Sequence, residues 1–150
     1  MQKIALIVAG GKGERMKSDI PKQFLQLNNL PVLMHTIKQF SHLDKVIVIL
    51  PSSELFYWEE LCEKHLFLEK HTVIAGGSNR FESVKNGLAE VENNSAVAIH
   101  DGVRPFVSKI LINKLFSTIR EGVGVAPIIP ITDSVRRVIK SNSCNVNRNN

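Results

Sequence analysis

Residues 9–16 read Ala-Gly-Gly-Lys-Gly-Glu-Arg-Met, and Pro21-Lys22-Gln23 follow shortly after. Three cations, Lys12, Arg15 and Lys22, therefore stand in or just behind a glycine-rich stretch. Glycine lets the backbone come close to a ligand and turn bare N–H groups toward it. Guanidinium and ammonium groups nearby suit an anion with many oxygens. Together these residues can hold a nucleoside triphosphate. Two familiar phosphate loops do not describe them. A dinucleotide fingerprint needs a third glycine and an acid about 20 residues on, whereas Met16 takes the third position and residues 30–39 hold no Asp or Glu. The string of a P-loop, G-x-x-x-x-G-K-[ST], does not occur.

Other clusters invite chemistry. Gly76-Gly77-Ser78 with Arg80 and Ser83 opens a helix-like stretch. Its glycines and free helix N–H groups suggest, on their own, a second phosphate site. Asp101 ends an apolar run, with Arg104 three residues on. Such an acid beside a triphosphate suits a Mg²⁺ site or a ribose contact, and the same pair can form a local ion pair that shapes the turn before Pro105. The five histidines form no H-E-x-x-H and no Cys/His cluster, so no zinc is implied. His100 abuts Asp101 and can buttress it. Cys62 and Cys144 form no C-x-x-C and read as reduced thiols of a cytosolic protein. No G-x-S-x-G points to a nucleophilic serine.

These residues need elements to hold them. Ile4–Ala9, Val46–Leu50, Thr72–Ala75, Ala96–His100 and Val123–Ile129 are short, apolar and rich in Val and Ile, as strands are. Helical periodicity lies between them. Pro31 opens a stretch with Leu33, Ile37 and Phe40 on one face, and Ser52 or Ser53 can cap the next, which runs to about His65. Residues 80–91 set Val84, Leu88 and Val91 on one face; residues 108–119 set out Ile112, Phe116 and Ile119, with Ser108 as a cap. This alternation predicts an α/β fold, a Rossmann-like three-layer sandwich with a mainly parallel sheet. In such sheets ligands gather at the carboxyl ends of strands. The motifs after Ala9, Ala75 and His100 all fall there.

A chain of 150 residues supports one domain with a real core. No apolar stretch approaches the ~20 residues that span a bilayer, and the N-terminus does not read as a signal peptide. The net charge of +5 is scattered, and aromatics are not interleaved with it as a nucleic-acid platform requires. A small anionic substrate accounts for the excess. The predicted partners are thus small molecules, without nucleic acid or membrane, and the location cytoplasmic.

The motifs at 9–16, 21–24, 76–84 and 100–106, with Asp133-Ser134, occur in an order that resembles the nucleotidyltransferases of the sugar-nucleotide pyrophosphorylase fold. Within them the chain is most similar to the 2-C-methyl-D-erythritol 4-phosphate cytidylyltransferase family. The resemblance implies a nucleotide-diphospho-sugar transferase type of fold and transfer of CMP from CTP, with Mg²⁺. It implies that Arg15 and Lys22 act at the reacting phosphate. Ala9, Gly10, Gly11, Lys12, Gly13, Gly77, Ser78, Ser83 and Asp101 would bind the nucleotide, the 76–83 turn reading cytosine. The family often has an acid where Ser78 stands. Arg104, Ser134 and Arg148 would bind the sugar-alcohol phosphate, Arg148 across a homodimer. Residues 1–135 would form the nucleotidyltransferase domain, and 136–150, basic and without an acid, the start of a dimerisation arm. Family chains run on further and return a lysine to the site, so the sequence reads as lacking its C-terminal part. The alternatives are a ribitol-5-phosphate cytidylyltransferase, a nucleotidyltransferase using UTP, GTP or dTTP, and a non-catalytic nucleotide-binding fragment. The run Ala126-Pro127-Ile128-Ile129-Pro130 before Asp133 favours the methylerythritol family over the ribitol one.

Overall fold

Val- and Ile-rich runs separated by amphipathic stretches have one economical solution, in which each strand buries both faces under helices. A computed structural model of the protein describes residues 1–11, 20–130, 136–139 and 142–145, without the side chains of 143 and 145. They divide into two compact units, Met1–Ile119 and Arg120–Asn150.

The first unit carries β1 (Gln2–Val8), the short β2 (Gln26–Leu27) and β3 (Leu30–Pro31), α1 (Val32–Phe40), β4 (Lys45–Leu50), α2 (Leu55–Lys64), β5 (Thr72–Ala75), α3 (Arg80–Ala89), β6 (Ser95–Asp101) and α4 (Lys109–Thr118). Strands β5, β4, β1 and β6 form, in that order, a four-stranded sheet in which every pairing is parallel. Alternation along the strands sends residues to opposite faces. On one face Ala5, Ile7, Val46, Val48 and Leu50 pack with Leu33, Met34, Ile37 and Phe40 of α1, Trp58 and Leu61 of α2, and Ile112 and Phe116 of α4. On the other face Ile4, Leu6, Ile47 and Ile49 form a smaller core with Ile74, Val91 and Val97. Here α3 covers the sheet. A side chain at Gly87 would lie 2.6 Å from Ile49 Cδ1, so the helix comes close because residue 87 has none.

Two expectations about the helices change, and a third holds. The stripe of α3 that faces the sheet runs through Ser83 and Gly87, and Leu88 is 43% exposed. Close approach at Gly87 turns the larger apolar residues to the flank. Helix α2 follows a 3-10 turn at Ser52–Glu54 and starts after Glu54 without a side-chain cap, so neither serine caps it. Ser108 does cap α4, accepting from Leu111 N–H at 3.1 Å.

In the second unit the expected strand at 123–129 does not form. Val123 makes a single antiparallel bridge to Arg120, and Ile128 and Ile129 are 91% and 87% exposed. Pro127 and Pro130 cannot donate to a ladder, which breaks the run that apolar content alone suggests. Further on, β7 (Arg136–Ile139) and β8 (Asn142–Asn145) pair antiparallel, from Arg136↔Asn145 to Ile139↔Asn142.

Candidate functional site

From β1 the chain passes to β4 and β5 on one side, then returns to lay β6 on the other side of β1. Parallel sheets open a crevice where the order reverses in this way, beyond the carboxyl ends of the strands. The ladder carries each strand one residue into its loop. Ala9 N–H donates to Ile49 O at 2.9 Å, Gly102 N–H to Val8 O at 2.8 Å, and Gly76 N–H to Leu50 O at 2.7 Å. Hence Gly10, Gly77 and Asp101 leave from a common edge, and Val8 pairs directly with Asp101.

Gly10 and Gly11 are exposed, and a Cβ on either would meet no atom of the described residues within 4 Å. Packing among the described residues does not demand glycine there. Lys12, Gly13 and Arg15 lie outside the described residues, as do Ser134 and Arg148. Lys22 is half-buried and opens a 3-10 turn with Gln23 and Phe24, which are 2% and 3% exposed. Phe24 stacks on Trp58 at 6.1 Å and meets Tyr57 edge-on at 5.2 Å. The lysine is thus mounted on a turn whose next two residues are core.

The turn at 76–79 is closed on itself. Gly77 N–H donates to Ser83 Oγ at 3.1 Å, and the Ser83 hydroxyl donates to Asn79 O at 2.9 Å. Ser78 gives both its N–H and its hydroxyl to Glu82 Oε2, at 2.8 and 2.7 Å. Asn79 caps α3 by accepting from Glu82 N–H at 3.0 Å. The two Ser78 bonds hold the Glu82 carboxyl below the usual carboxylate range. The N–H groups of Gly77, Ser78 and Glu82 are therefore occupied, and a carboxylate sits among them. A second phosphate site, which the glycines alone suggest, does not fit this arrangement. An acceptor-rich turn suits a ligand that donates, such as an exocyclic amine.

At the end of β6, Asp101 joins the two neighbouring motifs. Its Oδ2 lies 3.0 Å from Arg104 Nε and its Oδ1 3.2 Å from Arg80 Nη2, with the carboxylate side chain 34% exposed and the arginines 74% and 63%. The ion-pair alternative for Asp101 and Arg104 is thus realised, and Arg80 adds a second guanidinium. A carboxylate offers about four lone-pair sites, so these two contacts leave room for a ribose hydroxyl or a metal ion. Behind the pair, the His100 ring packs on Phe40 at 4.9 Å. Burial lowers the His100 pKa, Asp101 partly countering this and Arg104 adding to it. Among the described residues no group of three His, Cys, Asp or Glu could hold a metal by itself. Burial, helped by Glu59, pushes the Cys62 thiol up to about 11, which leaves it unreactive at neutral pH.

Ala9, Gly10, Gly11 and Asp101 meet across β1 and β6, and the Arg80–Asp101 pair ties Gly77, Ser78 and Ser83 to them. Sequence reasoning did not single out Glu82. Its signal is the Asn79-x-x-Glu82 spacing, a variant of the capping box. The Arg80–Asp101 contact, over 21 residues, has no local signal.

Residues 3–148 match the sequence profile of the IspD family, 2-C-methyl-D-erythritol 4-phosphate cytidylyltransferase. The enzyme of that name from Azobacteroides pseudotrichonymphae is 48% identical over 150 residues, covering 98% of this chain and 68% of the relative. The one from Porphyromonas gingivalis is 50% identical over 136 residues, covering 90% of this chain and 61% of the relative. The crystal structure of 4-diphosphocytidyl-2C-methyl-D-erythritol synthase from Anaerococcus prevotii superimposes with a TM-score of 0.80 at 25% identity, over 99% of this chain and 64% of that one. The chain therefore spans roughly two thirds of the length of these proteins.

Proposed function

The chain belongs to the 2-C-methyl-D-erythritol 4-phosphate cytidylyltransferase family, and from that premise we propose that it transfers CMP from CTP to 2-C-methyl-D-erythritol 4-phosphate, releasing pyrophosphate, in isoprenoid precursor synthesis. The observation that carries the reading is the meeting of an open glycine loop, an acceptor-rich turn and a doubly paired aspartate at one sheet edge. The space that the described residues leave beside Gly10 and Gly11 suits a triphosphate, and the acceptor-rich turn suits the 4-amino group of cytosine, which uracil lacks. The relatives' names favour the methylerythritol acceptor over ribitol phosphate.

The nucleophile is a phosphate oxygen, already ionised near neutral pH, so no general base is required. One anion must attack another, and the barrier falls when cations hold the oxygens in line and offset the developing charge. Arg15 and Lys22 take that role at the α-phosphate, with Lys12 on the outer phosphates. Ala9, Gly10, Gly11 and Gly13 line the nucleotide, and Gly77, Ser78 and Ser83 read the base. Arg104, Ser134 and Arg148 hold the acceptor. Mg²⁺ keeps most of its waters and binds through substrate phosphates with one or two carboxylates. Asp101 would hold it, and it would supply neutralisation of the triphosphate. The exposed β7–β8 pair, with Val138 and Ile139 67% and 61% exposed, suits pairing with a second copy, because a two-stranded ribbon is marginal alone. We place the enzyme in the cytoplasm as a homodimer; no helix among the described residues is long and apolar enough to cross a membrane.

Pyrophosphate release with each of the four nucleoside triphosphates, offered methylerythritol phosphate or ribitol phosphate, tests the reading. Turnover is expected with CTP and methylerythritol phosphate, and to vanish in excess EDTA. Equal turnover with UTP would sink the base assignment, and a preference for ribitol phosphate the acceptor.

A further inference from the structure

Thr36 lies in the middle of α1 with no exposed surface, among Leu33, Met34, Ile37 and Phe40. A hydroxyl in such surroundings needs a partner. Threonine in a helix usually finds one in its own preceding turn. Here Oγ1 is 3.3 Å from Val32 O but 2.7 Å from Gly102 O, 66 residues away. A hydroxyl has one hydrogen, and the shorter contact takes it.

Gly102 is fixed from every side. Its N–H donates to Val8 O at 2.8 Å, its carbonyl accepts from Thr36, and a Cβ would stand 2.6 Å from Ala9 Cβ. The residue before it is Asp101. Two residues after it comes Arg104, whose N–H donates to Asp101 O at 3.1 Å and whose Nε meets Asp101 Oδ2. The peptide joining Gly102 to Val103 is planar, so anchoring its carbonyl sets the direction in which the chain leaves the sheet toward Arg104. We propose that Thr36 is a positioning residue for the acceptor site: its buried hydroxyl locks the Gly102 peptide and so aims Arg104 beside Asp101. The proposal rests on the reading that Arg104 meets the acceptor's phosphate.

Thr36→Val keeps the shape and removes the hydrogen bond, whereas Thr36→Ser keeps the hydroxyl. In the intact enzyme, Thr36→Val should raise KM for methylerythritol phosphate about tenfold, with kcat and the KM for CTP within about threefold of wild type. Thr36→Ser should restore the acceptor KM. Amide exchange gives a readout independent of turnover. The Arg104 N–H should exchange about tenfold faster in Thr36→Val than in wild type, and β4 amides should not follow. If Thr36→Val does not fold, Thr36→Ala takes its place in both measurements. An unchanged acceptor KM with unchanged Arg104 exchange overturns the proposal. So does faster exchange spread evenly over the core, or equal damage from Val and Ser. Should the wild-type enzyme turn over no methylerythritol phosphate, the functional reading fails, and Arg104 exchange alone decides the role of Thr36.

Discussion

The two glycine turns at the carboxyl edge of the sheet are built on opposite principles. Around Gly10 and Gly11 the described residues leave open space, and added methyl groups would touch none of their atoms within 4 Å. Around Gly77 there is none: a Cβ would stand 2.3 Å from Glu82 Cβ, and the turn's N–H groups are spent on Ser83 and Glu82. Glycine in the second turn is required by the protein's own packing. In the first, no packing among the described residues requires it. A glycine-rich sequence thus marks two different needs, and only the surroundings separate them.

The sharpest test of the open region is its cation. Lys22→Ala should lower kcat on the order of 10²–10³-fold, the cost of losing one preorganised charge-stabilising donor. Stability should hardly change, because Gln23 and Phe24, not Lys22, anchor the turn in the core. An unchanged kcat would remove Lys22 from the chemistry. In the packed region the balance should reverse. Gly77→Ala forces the first turn of α3 to shift, and overpacking of this kind costs about 1–3 kcal/mol. Calorimetry should show the melting temperature falling by roughly 5–10 °C, together with weaker CTP binding. A Gly77→Ala protein as stable as wild type would mean that the turn has slack the structure does not show.

Gly10→Ala separates the two principles most directly. Its melting temperature should stay at the wild-type value, while CTP affinity by calorimetric titration drops about tenfold, or 1.4 kcal/mol. Undiminished affinity would show that no ligand backs onto this loop. The smallest effect concerns the packed side. Burial depresses the His100 imidazole below its ordinary value of 6.5. The unfolded chain then takes up a proton where the folded chain does not. Stability is therefore full above that value and is lost as pH falls below it. His100→Leu should flatten the melting temperature between pH 7 and 5 relative to wild type, and parallel profiles would refute the assignment.

Much of the scaffold is legible in the residues. The runs at 4–9, 46–50, 72–75 and 96–100 become strands, because β-branched apolar runs of that length have little else to do. Helix α1 follows from Pro31 and the spacing of Leu33, Ile37 and Phe40. Where reading failed, one or two residues outweighed the pattern. Gly87 rotates α3, and Pro127 and Pro130 spoil the run at 123–129. Of the site, Gly10, Gly11 and Asp101 are visible as the first polar or flexible positions after a strand. Arg15, Ser134 and Arg148 rest on motif likeness, and Lys22 on that together with its mounting.

By itself the sequence determined which chemistry was at hand: cations behind a glycine loop, a strand-ending aspartate, and alternating elements that demand a covered parallel sheet. Only the tertiary structure decided that β6 lies beside β1, setting Asp101 against the first loop. It alone decided that Arg80 reaches Asp101, that Glu82 takes the donors of Ser78, and that Thr36 bonds Gly102. The reason is physical. Apolar runs of similar length offer nearly equivalent ladders, so strand order depends on how the helices share the two faces. Polar groups then pair with whatever the packing brings within 3 Å or so, at separations along the chain that no local spacing encodes.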